Sequence, residues 1–240
     1  MPGDQERRRR LLEKKSAKRK ERKRAVVRSD LAMGPPGSRA LVRTAATWPL
    51  YECWINQNWN DVERPGGGGA LAEILIARRS PTGQIGIGVF LVDLGCLGVK
   101  NSYAKVLPSE GVYASFFEHL DQATPLGRTD LDLAARVIEE GIAYAKRWGF
   151  RPSQGYYEAA PFLAGAEPEK ADVVVPLGQN GKPFYVSGPN DHPKQVVAQL
   201  TRTAGPGNFH YIVDGTASQL GIPANVLEKA LGGDEADGDE

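Results

Sequence analysis

Residues 85–94, Ile-Gly-Ile-Gly-Val-Phe-Leu-Val-Asp-Leu, are apolar or glycine at every position except Asp93. Side chains alternate between the two faces of a strand, so Ile87, Val89, Leu91 and Asp93 share one face while Gly86, Gly88, Phe90 and Val92 share the other. Neither face suits water, which makes this a central strand, covered on both sides. Ile74, Leu75 and Ile76 supply a partner strand, and Ser80-Pro81-Thr82-Gly83 a turn between the two. The chain is therefore expected to fold around a hairpin buried on both faces.

Other elements follow from periodicity. TDLDLAARVIEEGIAYAKRWGF reads as a helix, with Thr129 as cap and Asp132 three positions later. Ala134, Val137, Ile138, Ala145 and Trp148 form its apolar stripe, Lys146 and Arg147 its basic last turn, and Gly149 its stop. VVVPLGQNGKPFYVSGP reads as a second hairpin closed by Asn180-Gly181. A helix over Pro193 to Thr203 ends at Gly205, a short strand lies around FHYIVD, and a helical pair covers TASQLG and PANVLEKALG. Trp48, Trp54 and Trp59 fall within twelve residues and are expected to cap a core as a cluster, while Pro65 to Gly69 reads as a loop. Strand pairs interrupted by helices indicate α+β: a single mixed domain with two β-hairpins and about three to four helices. A chain of 240 residues with 41% apolar side chains has material for such a core.

Charge divides the chain. Residues 1–28 hold 13 Lys and Arg against 4 Asp and Glu, a net of +9, whereas residues 29–240 hold 17 against 25, a net of −8. The basic run repels itself, has little to bury and is expected to be disordered until it meets dense negative charge. SDLAMGPPGSRA, residues 29–40, reads as a Pro/Gly linker, residues 41–230 as the globular domain, and residues 231–240 as a disordered acidic tail. No stretch approaches the roughly 18 apolar residues of a membrane span, and no apolar segment follows the N-terminal charges as in a secretory signal. An intracellular, cytoplasmic protein is expected, or a nuclear one if the source is eukaryotic. Cys53 and Cys96 are too few for a disulfide scaffold and lack zinc-site spacing.

Residues able to do chemistry are sparse. His119, His192 and His210 stand in unrelated contexts, so neither a metal site nor a cofactor is expected. Cys96, flanked by Gly95 and Gly98, could meet a histidine in space as a nucleophile, but a free cysteine is more often a small buried hydrophobe. Asp93, Lys100 and Asn101 place a carboxylate and a cation near one glycine-rich turn. Asp93 is costly to bury alone, so Lys100, Arg78 or Arg79 is expected beside it. With Glu52 and Glu73 it also completes the short set of acids near strands that a nuclease would need. Gly178 to Pro183 lacks phosphate-loop spacing. Residues 216–231 resemble a helix-turn-helix, with Ala217, Gly221 and Leu227 at the packing positions, although Glu228 and the acidic tail oppose groove entry.

The basic run narrows the choice of partner. Wound as a helix it offers only Leu11, Leu12 and a few alanines as an apolar face, which weakens a membrane anchor. Arginine-rich segments that fold on RNA need no such face. Arg7, Arg8, Arg9, Arg10, Lys14, Lys15, Lys18, Arg19, Lys20, Arg22, Lys23 and Arg24 are the expected contacts to RNA or another polyanion, the ribosome among them. The expectation is a non-enzymatic protein tethered to structured RNA. The alternatives are a hydrolase or nuclease using Asp93, Cys96 and Lys100, and a DNA-binding regulator using residues 216–231.

Overall fold

The computed structural model describes residues 38–61, 71–188 and 190–213. The basic run, the glycine loop, the helix-turn-helix-like segment and the acidic tail all lie outside the described residues. Among those described the fold mixes helix and sheet. In chain order come α1 (Ser38–Ala45), β1 (Leu50–Asn56), β2 (Leu71–Arg79), β3 (Ile85–Asp93), β4 (Gly98–Leu107), α2 (Glu110–Ala123), β5 (Leu126–Arg128) and α3 (Leu131–Arg147). They are followed by α4 (Tyr156–Ala159), 3-10 turns at Ala160–Leu163 and Pro168–Lys170, β6 (Phe184–Val186), α5 (Pro193–Thr203) and β7 (His210–Ile212). Ser38 to Ala40, expected in the linker, already form the first turn of α1, because Val42, Ala45 and Ala46 bury that helix against the core.

Five antiparallel strands make one sheet in the order β4-β3-β2-β1-β5. The expected hairpin is its centre: β2 pairs with β3 from Leu71↔Asp93 to Arg79↔Ile85. Both faces of β3 are indeed covered. Phe90 and Val92 join a core shared with α1, α3 and Phe162, while Ile85, Ile87 and Val89 join a second core with Tyr113 and Leu120 of α2. Fully burying each such side chain contributes roughly 1.5–3 kcal/mol.

Two glycines inside β3 are explained by the aromatic ring above them. A Cβ at Gly88 would lie 2.9 Å from Phe162 Cβ, and one at Gly86 would lie 2.6 Å from Ala45 Cβ. The bare backbone there lets Phe162 lie flat against the sheet. Arg78 then fixes the same segment from the neighbouring strand. Its guanidinium, in a residue only 6% exposed, donates to Trp48 O at 2.9 Å, to Phe162 O at 3.0 and 3.2 Å, and to Ala164 O.

Three expectations are corrected. The cap of α3 is Asp130, which accepts from Leu133 N at 2.6 Å, one residue beyond Thr129. An aspartate in extended conformation offers a stronger acceptor at that position than the threonine before it. The tryptophans form no single cluster: Trp48 and Trp59 pack in the α3-side core, and Trp54 on the opposite face against Phe117, with ring centroids 4.6 Å apart. Strand alternation in β1 separates them. The Asn180-Gly181 turn forms, with φ of 51° and 74°, and Gln179 and Lys182 exchange backbone hydrogen bonds of 2.8 and 3.0 Å. No ladder extends from it, because β6 pairs in parallel with β7 (Phe184↔His210 to Val186↔Ile212). The backbone flanking the turn bonds elsewhere: Gly178 N donates to Leu94 O at 2.9 Å and Phe184 N to Gly95 O at 3.0 Å.

Candidate functional site

Those two bonds seat the Asn180-Gly181 segment on the β3–β4 turn, where the sequence placed its chemistry. Asp93 ends β3, and its Oδ1 accepts from Cys96 N at 2.8 Å and Leu97 N at 3.2 Å, closing the turn with a side chain. Gly98 restarts the chain with φ +66°; a Cβ there would lie 2.8 Å from Ala145 Cβ, so the turn packs directly on α3. A Cβ at Gly95 would lie 2.3 Å from Phe184 O. Glycine at both positions permits close backbone approach from two sides.

Lys100 is two residues along β4. Its Nζ meets Asp191 Oδ2 at 2.7 Å, with the two side chains 15% and 12% exposed. The same oxygen accepts from Gly188 N at 2.8 Å and Tyr185 Oη at 3.3 Å. A Cβ at Gly188 would lie 3.1 Å from the ammonium, so glycine leaves the pair room to close. The structure thus joins Asp93, Cys96 and Lys100 to two residues that sequence reading missed, Asp191 and Tyr185. The available signal was the pattern around Ser187-Gly188-Pro189-Asn190-Asp191, an aspartate after Gly-Pro, whose partner lies 91 positions earlier in the chain.

Electrostatics follow from burial. Desolvation pushes the Asp93 carboxyl above its ordinary range, opposed by the Lys100 charge and the two amide donors. Burial pushes the Cys96 thiol far up, and the Asp93 charge adds to the effect. Cys96 is 0% exposed and packs with Tyr185, Leu200 and Val213 in a third, smaller core. Tyr185 is also raised, first by burial and then by Asp191. This geometry makes Asp93 a turn-closing acceptor, keeps Cys96 a protonated apolar thiol, and leaves Lys100 to bind a carboxylate.

The other candidates lie elsewhere. Arg78 pairs across the sheet with Gly86 while Asp93 pairs with Leu71. That places Arg78 seven residues, about 23 Å, along β2 from the acid it was expected to neutralise. Arg79 pairs with Glu110 of α2. Glu52 accepts from Tyr113 Oη at 2.8 Å and Trp54 Nε1 at 3.2 Å, Glu73 is buried within β2, and among the described residues no group of His, Cys, Asp and Glu is arranged to hold a metal. His119 lies on α2, His192 precedes α5 and His210 opens β7, where burial and nearby Lys182 lower its pKa. A recess of about 380 Å³ is lined by Asp130, Asp132, Lys170 and Asp172. There Asp130 and Asp132 already hold the amides of Leu133 and Glu167, at 2.6 and 2.7 Å. The twelve basic contacts from Arg7 to Arg24 lie outside the described residues, and among those described no helix is long and apolar enough to cross a membrane.

No protein-family model matches the chain, and neither a curated protein nor a solved structure matches it.

Proposed function

We propose that the protein is a non-enzymatic RNA tether: residues 1–28 bind structured RNA, with the ribosome a natural target, and hold an α+β body of residues 41–230 against it. The supporting observation is the segregation of charge, +9 in the first 28 residues against −8 in the remainder. Phosphate attraction is therefore concentrated in one arm, and the body, carrying the opposite sign, adds no general affinity for polyanions. In this reading the Pro/Gly segment spaces the arm from the body, and the cytoplasm is the compartment where such RNA is met.

The test is filter binding of full-length protein and of residues 29–240 to structured RNA across a salt series. Neutralising nine phosphates gives a log–log slope of roughly −6 to −8. Undiminished binding by the truncated chain, or affinity indifferent to salt, overturns the proposal.

A further inference from the structure

Tyr157 is 67% exposed, and no other aromatic side chain among the described residues reaches its degree of exposure. It is also anchored. Its ring meets Tyr156 edge-on, centroids 5.6 Å apart at 72°, and Tyr156 meets core residue Phe90 edge-on at 6.4 Å and 65°. A chain of rings thus runs from the central strand to the surface and ends in an exposed aromatic face. Holding a large apolar ring in water on a short helix brings the body no stability.

Its surroundings are basic and continuous with the arm. Arg39 and Arg43 stand one helical turn apart on α1, on the same flank, and α1 carries no acid. Arg39 Nε contacts Glu158 Oε1 at 2.9 Å, which fastens that flank to α4 beside Tyr157 and neutralises the acid there. Arg43 is exposed and forms no ion pair among the described residues. Residues 1–37 lead directly into this helix.

Resting on the tether reading, we infer that Tyr157, flanked by Arg39 and Arg43, is a stacking platform for an unpaired base of the RNA that the arm holds. Phosphates engaged by residues 1–28 bring the neighbouring nucleotides to the start of α1. A splayed base can then stack on the phenol ring while Arg43 meets its backbone. The arm supplies affinity without regard to pairing; the ring adds a preference for single-stranded loops over continuous duplex.

Full-length protein and its Tyr157→Ala and Tyr157→Trp variants are titrated with an RNA hairpin carrying an unpaired adenosine-rich loop and with a fully paired duplex of equal length. Loss of one stacked base weakens hairpin binding by about tenfold, leaves duplex binding unchanged, and is reversed in Tyr157→Trp. Because the side chain is exposed, all three proteins should melt together, and this is checked first. Hairpin affinity unchanged in Tyr157→Ala, or hairpin and duplex affinities falling equally, overturns the platform while leaving the tether standing. Failure of full-length protein to bind either RNA overturns both.

Discussion

Arg78→Met removes a guanidinium from the interior while keeping most of the apolar stem, and the structure gives the consequence. Arg78 is 6% exposed, and its partners are backbone carbonyls of Trp48, Phe162 and Ala164. These lie on the α1–β1 connection and on the 3-10 turn that sets Phe162 on Gly88. Each hydrogen bond from a charged donor contributes about 1.5–3 kcal/mol, and a buried carbonyl left without a donor costs about 1–3 kcal/mol. Removing the costly burial of the charge offsets part of this loss, leaving a net destabilisation of about 3–4 kcal/mol. For a domain of this size that is a fall in Tm of about 10 °C. Arg78→Lys keeps the charge but loses the fork that reaches three carbonyls, and should lose about 2 kcal/mol. Urea denaturation followed by circular dichroism measures both values. Hydrogen exchange at residues 160–164 should show protection lost there first. A Met variant within about 0.5 kcal/mol of wild type, with Phe162 still protected, would refute the view that this arginine clamps the 3-10 turn to the sheet.

Three further outcomes follow. Asp93→Ala strands the Cys96 and Leu97 amides and should cost about 2 kcal/mol, whereas Asp93→Asn keeps the acceptor and should stay within about 1 kcal/mol of wild type at neutral pH. Because burial raises the Asp93 pKa above 3.8, wild type should gain on the Asn variant as pH falls toward that value, and an unchanged difference across an acid titration would contradict this role. Asp191→Ala leaves Lys100 buried without its carboxylate and should cost about 3 kcal/mol; Lys100→Met/Asp191→Leu should recover much of it, and strictly additive losses would exclude coupling through the 2.7 Å contact. Both cysteines should resist a thiol reagent in the folded protein and react on denaturation. Since burial pushes Cys53 from 9.0 to about 12, its share of stability is present below pH 9 and is lost as pH rises through that interval; rapid labelling of native protein at pH 8 would contradict this.

Several features were legible because they are local. The apolar run over β3 dictated a strand covered on both faces, the 3.6-residue period over 131–147 dictated α3, and Asn180-Gly181 dictated a turn with positive φ at both residues. Strand alternation is a property of the backbone, so it even assigned Ile87 and Val89 to one face and Phe90 and Val92 to the other before any partner was known. The Thr129 cap missed by one residue because two adjacent side chains could each supply the acceptor, and only the extended backbone at Asp130 placed its oxygen over Leu133 N.

The site was legible only as a neighbourhood. Asp93, Cys96 and Lys100 are close in sequence and stay close in space, yet their roles depend on partners from distant segments: Asp191 for Lys100, Phe184 for Gly95, Leu200 for Cys96. A turn motif says that two arms will reverse, and not that they will pair. Here the backbone flanking Gly178 and Phe184 found acceptors on the β3–β4 turn, and β6 found β7. Sequence by itself determined the charge division, the central hairpin and the principal helix, since each depends on repulsion or periodicity within a short span. Tertiary structure decided which buried polar groups meet, because a desolvated donor takes whichever acceptor the packed layers bring within about 3 Å, whatever its distance along the chain.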